Sequence, residues 1–205
     1  MSIVKLNNNG VKNATSFGSA SSGSMTFIKK LTASSSATLS FVDGASSVVL
    51  DNTYKEYMFT FNNMHPASDA VNFVFNGSID SGSNYNVTKT TTFFNAYHFE
   101  NGSSAALTYN ASQDLAQSTD FQILEDSVGN DNDQSCVGYL HLFNPSSTTF
   151  VKHFISRNHR AFSGDASSGN HVAGYFNTTS AIDAVQFKMS SGNIDAGDIC
   201  LYGIN

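Results

Sequence analysis

Several stretches of this 205-residue chain alternate aromatic or aliphatic side chains with small polar ones. Tyr57, Phe59 and Phe61 are separated by single residues, and the same period of two runs through residues 71–76 and 185–190. Alternate residues of a β-strand point to opposite faces of the sheet, so this period predicts strands with one buried face and one face in water. Strands of that kind are typical of antiparallel sheets.

Turn-forming pairs such as Asp43-Gly44 and Asn76-Gly77 separate the alternating stretches. The predicted strands lie near residues 25–31, 37–42, 54–62, 70–77, 86–99 (two strands or one with a bulge), 136–143, 149–157, 171–177, 184–189 and 198–204. A short helix is predicted within residues 111–125, through residues 111–116. Eight to ten short strands at this spacing predict an all-β fold, either an antiparallel β-sandwich or a jelly roll.

The composition favours the same fold class and excludes two kinds of partner. Serine, threonine and asparagine make up about a third of the chain and only 13% of its residues are charged, so the polar side chains that cover amphipathic helices are scarce. A net charge of −6, with 10 Lys+Arg against 16 Asp+Glu, argues against binding to nucleic acid. No apolar run approaches the roughly 18 residues of a membrane-spanning helix, so no membrane partner is expected.

Residues 1–24 differ from the rest of the chain. They are rich in Ser, Gly and Asn and offer little apolar surface to bury. We therefore expect an extended N-terminal arm over 1–24, followed by one β-sandwich domain over 25–205. Such an arm gains order by lying across neighbouring subunits, and its scattered apolar residues are the predicted anchors. These are Ile3, Val4, Leu6, Val11 and Phe17.

The cysteines and histidines give no strong signal for a metal centre. Cys136 and Cys200 each lie in an apolar strand-like run, which favours buried free thiols, although a disulfide between them stays open. No two histidines have the i, i+2 spacing of a strand or the i, i+4 spacing of a helix that commonly brings two imidazoles to one ion. The histidines are His65 in a predicted turn, His98, His141 and His153 in predicted strands, and His159 and His171 at predicted strand ends.

Asp131 and Asp133 lie in a segment with some likeness to a calcium-binding loop. The glycine and the glutamate that such a loop needs at its sixth and twelfth positions are replaced by Cys136 and Leu142. A solvated turn is therefore the simpler interpretation, with a calcium site of another type as the alternative.

The chain carries no recognisable catalytic motif. A nucleophile elbow and a phosphate-cradling glycine loop are both missing. Nothing in the spacing of Glu56, Glu100 and Glu125 marks two of them as a pair for sugar hydrolysis. The lack of tryptophan disfavours a sugar-binding face without excluding one, since tyrosines such as Tyr97 and Tyr175 can stack on a sugar ring.

A series of short segments is distinctive as a set. It consists of LDNTYKEY at 50–57, FNNMHP at 61–66, FNPSSTTFVKHF at 143–154, GYFNTTSAI at 174–182, FKMSSGNIDAG at 187–197 and LYGI at 201–204. Together these segments, which are spread over most of residues 25–205, resemble virion structural proteins of marine tailed bacteriophages. The opening VKL at 4–6 and GVKN at 10–13 are similar to the start of such proteins.

The resemblance implies a β-sandwich subunit on the surface of a virion, with no catalytic residues and no cofactor. We expect a capsid decoration protein that is anchored by its arm and forms a homo-oligomer, a trimer by analogy. Its expected partners are copies of itself and other virion proteins, such as the major capsid protein or tail proteins. A tail, baseplate or fibre component is the alternative. The rivals from other classes are a carbohydrate-binding module that contacts a host-surface glycan and a glycan-degrading enzyme.

Overall fold

The computed structural model describes residues 24–162 and 164–205. These residues form twelve β-strands and contain no helix. The predicted anchors of the arm, Ile3, Val4, Leu6, Val11 and Phe17, lie outside the described residues. The strands are β1 (Met25–Ser36), β2 (Leu39–Val42), β3 (Glu56–Pro66), β4 (Val71–Ser78), β5 (Lys89–Phe99), β6 (Ala105–Tyr109), β7 (Gln122–Val128), β8 (Cys136–Phe143), β9 (Lys152–Phe162), β10 (Ala166–Phe176), β11 (Ala184–Met189) and β12 (Ile194–Ile204).

The strands form two layers, and every pairing between them is antiparallel. The larger layer has the order β1-β12-β3-β8-β9-β10-β5-β6, and the smaller layer has the order β7-β4-β11-β2. The pair Val128–Phe162 joins β7 to β9 and so connects the two layers at one corner. The prediction of an all-β antiparallel sandwich is confirmed.

The core between the layers is built from phenylalanine rings at alternate strand positions. Phe187 of β11 is fully buried, and its ring centroid lies 5.3 Å from Phe59, 5.2 Å from Phe61 and 5.9 Å from Phe73. Each buried ring removes enough apolar surface from water to stabilise the fold by about 1.5–3 kcal/mol. The period of two that predicted β3, β4 and β11 is therefore the pattern of this core.

Ten of the twelve strands coincide with predicted ones, whereas β6 and β7 were not predicted. The segment 86–99 holds a single strand, β5. The predicted helix over residues 111–116 is wrong, because that segment forms turns in which some backbone amides bond to side chains and the Gln113 amide bonds to the carbonyl three residues back, at Asn110. Asn110 Oδ1 accepts from the Ser112 amide at 3.3 Å, and Thr91 Oγ1 accepts from the Leu115 amide at 2.8 Å.

Both cysteines are buried free thiols, as expected. Cys136 lies on β8 and Cys200 on β12, and β3 runs between those strands. Two strand spacings alone amount to about 10 Å, and Cys200 lies opposite Thr60 whereas Cys136 lies opposite Met64, so the two thiols are too far apart for a disulfide. Burial raises the pKa of the Cys136 thiol well above its ordinary value.

The first and last strands of the described domain are neighbours. β1 pairs with β12 along almost its whole length, from Met25 opposite Ile204 to Ser36 opposite Ile194. The Asn205 amide donates to the Ser24 carbonyl oxygen at 3.0 Å, which extends this ladder by one more bond.

Candidate functional site

The outer side of the larger layer carries a surface formed by β8, β9, β10, β5 and β6, which the other described residues leave uncovered and which we call the outer face. The strand register aligns its side chains in rows that cross all five strands. One row consists of Tyr139, Arg157, His171, Phe94 and Tyr109. Within it the rings of Phe94 and His171 stack at 4.7 Å with an angle of 3° between their planes.

The outer face concentrates the exposed apolar side chains of the described residues. Ten large apolar side chains are exposed in this part of the chain, and six of them lie on the outer face. Scattered exposed apolar residues are ordinary on protein surfaces, but a contiguous group marks a surface that contacts another molecule. The six are Phe94, Leu107, Tyr109, Val137, Tyr139 and Ile155.

The outer face is also almost free of formal charge. Arg157 is the one lysine, arginine or carboxylate among the outward-facing positions of its five described strands. Lys89, Lys152 and Arg160 belong to the same strands but point inward and are buried. A near-neutral face on a chain of net charge −6 can approach another acidic subunit without strong repulsion.

Five of the six histidines lie on the outer face, a grouping that the sequence did not reveal. The predicted strand positions of His98, His141 and His153 are confirmed. His159 and His171 were predicted at strand ends, but they lie well inside β9 and β10. His65 was predicted in a turn, but it lies near the end of β3. These three placements were wrong. The first two were misplaced because β9 and β10 extend further than predicted, and the third because β3 continues to Pro66.

The histidines of the outer face have separate partners and do not form a cluster. His141 pairs with Glu56, and His159 Nε2 lies 2.9 Å from Ser167 Oγ. Burial against the sheet and the nearby Arg157 both lower the pKa of His171. Within residues 24–162 and 164–205, no three His, Cys, Asp or Glu side chains are placed to hold a metal ion.

The segment of Asp131 and Asp133 is an exposed turn. The Asp131 carbonyl oxygen lies 3.2 Å from His65 Nε2, and the Gln134 amide donates to the same oxygen at 2.9 Å. This carbonyl oxygen is thus bonded within the segment and to β3, in agreement with a solvated turn.

A buried ionic cluster lies between β7 and the inner side of β9 and β10. Arg160 Nη1 contacts Glu125 Oε1 at 2.5 Å and also pairs with Asp126 Oδ1. Asn170 Nδ2 donates to the same two oxygens, at 2.7 Å to Glu125 and 2.9 Å to Asp126. The Glu125 side chain is fully buried and that of Arg160 nearly so.

β7 has a bulge on each side of Glu125. Phe73 of β4 pairs with Glu125 and Val74 pairs with Ile123, so Leu124 is an extra residue that breaks the alternation. Val71 pairs with Val128, so Asp126 and its neighbour Ser127 both lie opposite the single residue between Val71 and Phe73, and this second bulge allows Asp126 to reach the same Arg160 as Glu125. Leu124 and Glu125 are consequently both buried. The pair could not be predicted from the sequence, because neighbouring residues of a regular strand point to opposite faces.

The two carboxylates of the cluster have opposite pKa shifts. Burial raises the pKa of Glu125 to about 8, although the Arg160 guanidinium opposes the shift. Partial burial of Asp126 also opposes its ionisation, but the hydrogen bonds and charge of Arg160 outweigh that effect and lower its pKa. At neutral pH the cluster thus holds Arg160 as a cation, Asp126 as an anion and Glu125 in its uncharged form.

Comparison of the chain with family models, with curated proteins and with solved structures found no significant match. In the described residues, no helix is present that is long and apolar enough to cross a membrane.

Proposed function

We propose that this protein is a non-enzymatic structural protein of a tailed-phage virion, and in the first place a capsid decoration subunit that associates with copies of itself through the outer face. The observation that carries this proposal is the outer face, a five-strand surface with six exposed large apolar side chains and one formal charge. The likeness of the motifs at 143–154, 174–182 and 187–197 to virion proteins supplies the setting.

The size of the outer face suits a stable contact between subunits. Five strands about 4.8 Å apart, with about 3.3 Å per residue along strands of up to about ten residues, cover roughly 700 Å². A standard interface buries about 800 Å² on each partner. The outer face alone therefore offers nearly the area that such an interface requires.

The composition of the outer face favours a second copy of the chain as its occupant. Short or ring-shaped side chains such as Thr92, Ala173 and Phe94 lose little conformational entropy when they are covered. Two acidic subunits repel one another least where each presents an uncharged surface. Aromatic residues are also the side chains most enriched at the centres of interfaces.

The substitution Ile155→Glu tests this self-association, because Ile155 lies near the middle of the outer face and is 51% exposed. Sedimentation velocity from about 1 to 100 μM covers the affinities expected of a working interface. We expect the wild type to sediment as an oligomer of the 22.0 kDa chain, with three copies for the predicted trimer, and Ile155→Glu to sediment as a monomer.

The matched control is Phe150→Glu, which places the same charge at a 68% exposed aromatic outside the five strands and should leave the oligomer intact. A wild type that remains monomeric over this range contradicts the proposed contact. Equal dissociation by both substitutions contradicts the assignment of that contact to the outer face.

The virion setting is tested by locating the subunit in a cryo-EM reconstruction of the particle that carries it. Density for this sandwich on the capsid shell supports decoration. Density on the tail, baseplate or fibres supports the alternative placement. If no part of the particle shows density for this subunit, the virion role is contradicted.

A further inference from the structure

A pocket lies on the inner side of the larger layer, next to the ionic cluster. It has a volume of about 220 Å³ and lies between β5, β10 and β9. Its volume lies below the range of about 300–1,000 Å³ that is usual for drug-sized ligands, so it suits one small ring. It is lined by Asn95, Tyr97, Phe99, Arg160, Phe162, Ala166 and Ser168.

The strand register explains how the pocket combines apolar and polar side chains. Ser168 of β10 lies opposite Tyr97 on one side and Arg160 on the other, and the next row places Ala166 between Phe99 and Phe162. The inner surface thus changes along the strands from the phenylalanine core to a polar row and then to an aromatic row. Buried polar groups cost stability unless they are paired, and in this row Arg160 has Glu125 and Asp126 as partners, whereas the Ser168 hydroxyl has none among the described residues.

Two polar atoms of the lining residues are buried without a partner among the described residues. Ser168 Oγ has no hydrogen bond, although the residue is only 2% exposed, and Arg160 Nε has none, although the residue is 5% exposed. Asn170 Oδ1, one row further in, is also unpaired. A buried polar group without a partner costs about 1–3 kcal/mol, so two such groups in the lining of one pocket indicate a ligand or water that bonds to them.

The aromatic lining provides apolar surfaces beside these polar atoms. The rings of Tyr97 and Phe99 meet edge to face at 5.8 Å, and the Arg160 guanidinium lies 5.0 Å from the centre of the Phe162 ring. A ligand held there presents a flat apolar surface to the rings and hydrogen-bonding groups at its edge.

The charge of the cluster decides between a neutral and an anionic ligand. The Arg160 cation is already paired with Asp126, and the burial of Glu125 keeps that side chain uncharged at neutral pH. No net positive charge is left to hold a phosphate or a carboxylate. The pocket therefore favours an uncharged ligand.

We propose that this pocket binds one neutral sugar ring, such as a terminal hexose of a glycan. A pyranose has apolar C–H faces that fit aromatic walls and hydroxyl groups at its edge that can pair with the unpartnered Ser168 Oγ and Arg160 Nε. This inference is independent of the virion assignment, since it rests on the inner pocket and not on the outer face.

Saturation-transfer NMR with methyl glycosides of glucose, galactose, mannose and N-acetylglucosamine tests the proposal, and glucuronic acid and glucose 6-phosphate serve as charged comparators. We expect transfer to at least one neutral sugar, with millimolar affinity and little transfer to the charged ones. Tyr97→Ala should weaken that binding about tenfold, since truncation of a contacting aromatic costs at least 1 kcal/mol and 1.4 kcal/mol is tenfold.

Tyr175→Ala is the matched control, because Tyr175 lies on the outer side of β10 and its loss should leave sugar binding unchanged. Ser168→Ala removes one hydroxyl with almost no change in shape, and it should weaken binding several-fold in a protein that melts like the wild type. Lack of transfer to every neutral sugar overturns the proposal, and so does transfer that survives Tyr97→Ala and Ser168→Ala, or that is confined to the charged comparators.

Discussion

The substitution Glu125→Gln should make the protein more stable at pH 8 than the wild type and leave its stability almost unchanged near pH 5. Glu125 is fully buried, with Arg160 Nη1 at 2.5 Å and Asn170 Nδ2 at 2.7 Å from the same oxygen, while its second oxygen has no partner. Glutamine keeps the accepting oxygen and matches the shape of the uncharged acid. The variant therefore removes the ionisation of this side chain and little else.

The magnitude follows from the raised pKa of Glu125, about 8 against an ordinary 4.5. Below pH 4.5 the group holds a proton in both the native and the unfolded state and contributes no difference. Between pH 4.5 and 8 the native state keeps the proton and the unfolded state loses it, so the free energy of unfolding falls by up to about 1.4 kcal/mol per pH unit. From pH 5 to pH 8 the loss amounts to about 4 kcal/mol, and the variant escapes it.

Urea denaturation of both proteins at half-unit steps from pH 5 to 8.5 measures this difference. Other groups also titrate in this range, including His171, whose pKa is lowered, and Lys89, whose pKa burial lowers to about 8. Their contributions cancel when the wild-type free energy is subtracted from that of the variant. Glu100→Gln, at an exposed glutamate, is the control and should give a difference that is flat with pH.

A difference between Glu125→Gln and the wild type that stays constant over this range would refute the reasoning. A variant that is less stable than the wild type at pH 8 would refute it as well, because it would mean that the native state binds Glu125 as an anion.

Two further substitutions test the packing of the sandwich. Phe187→Ala should lower the free energy of unfolding, measured by urea denaturation, by about 3–5 kcal/mol, because that ring contacts rings of both layers. Phe150→Ala, at an exposed loop, is the control and should change the free energy of unfolding by less than about 0.5 kcal/mol. Similar losses in the two variants would contradict the described core. Arg160→Met should cost about 3–5 kcal/mol at pH 7 because it leaves Asp126 as a partly buried anion without its cation, and a neutral result would mean that solvent reaches the carboxylate.

The fold class could be predicted because the strands of the core combine regular alternation with strong apolar character. Phe59 and Phe61 of β3 and Phe187 of β11 all occupy the buried positions that the period of two assigns to them. The order of the strands could not be predicted, because it depends on which strand edges pair and no single segment carries that information.

The ends of β9 and β10 could not be predicted because alternation of burial continues there without alternation of hydropathy. Ser156, Asn158 and Arg160 are the buried residues of the second half of β9, and Ser168 and Asn170 are their polar counterparts in β10. A pattern of apolar residues cannot indicate a strand whose buried positions are polar. Both the ionic cluster and the pocket lie in this polar part of the inner face.

The two unpredicted strands have other causes. β6 is a short edge strand with most of its side chains exposed, so neither of its faces gives an apolar signal. The bulge in β7 places Leu124 and Glu125 on the same side and so destroys the period. The outer face was likewise hidden, because its rows exist only once the strands are in register.

The bond between Ser24 and Asn205 has a practical consequence for experiments on this protein. The polypeptide enters and leaves the sandwich at one corner, so a fluorophore or affinity handle fused after Asn205 will stand beside the point where residues 1–23 join. Such a handle reports on, and can obstruct, whatever that segment touches. Connecting Asn205 to Ser24 with a short linker and opening new termini in an exposed turn, such as the one at Asn101, would free that corner and leave the twelve strands in place.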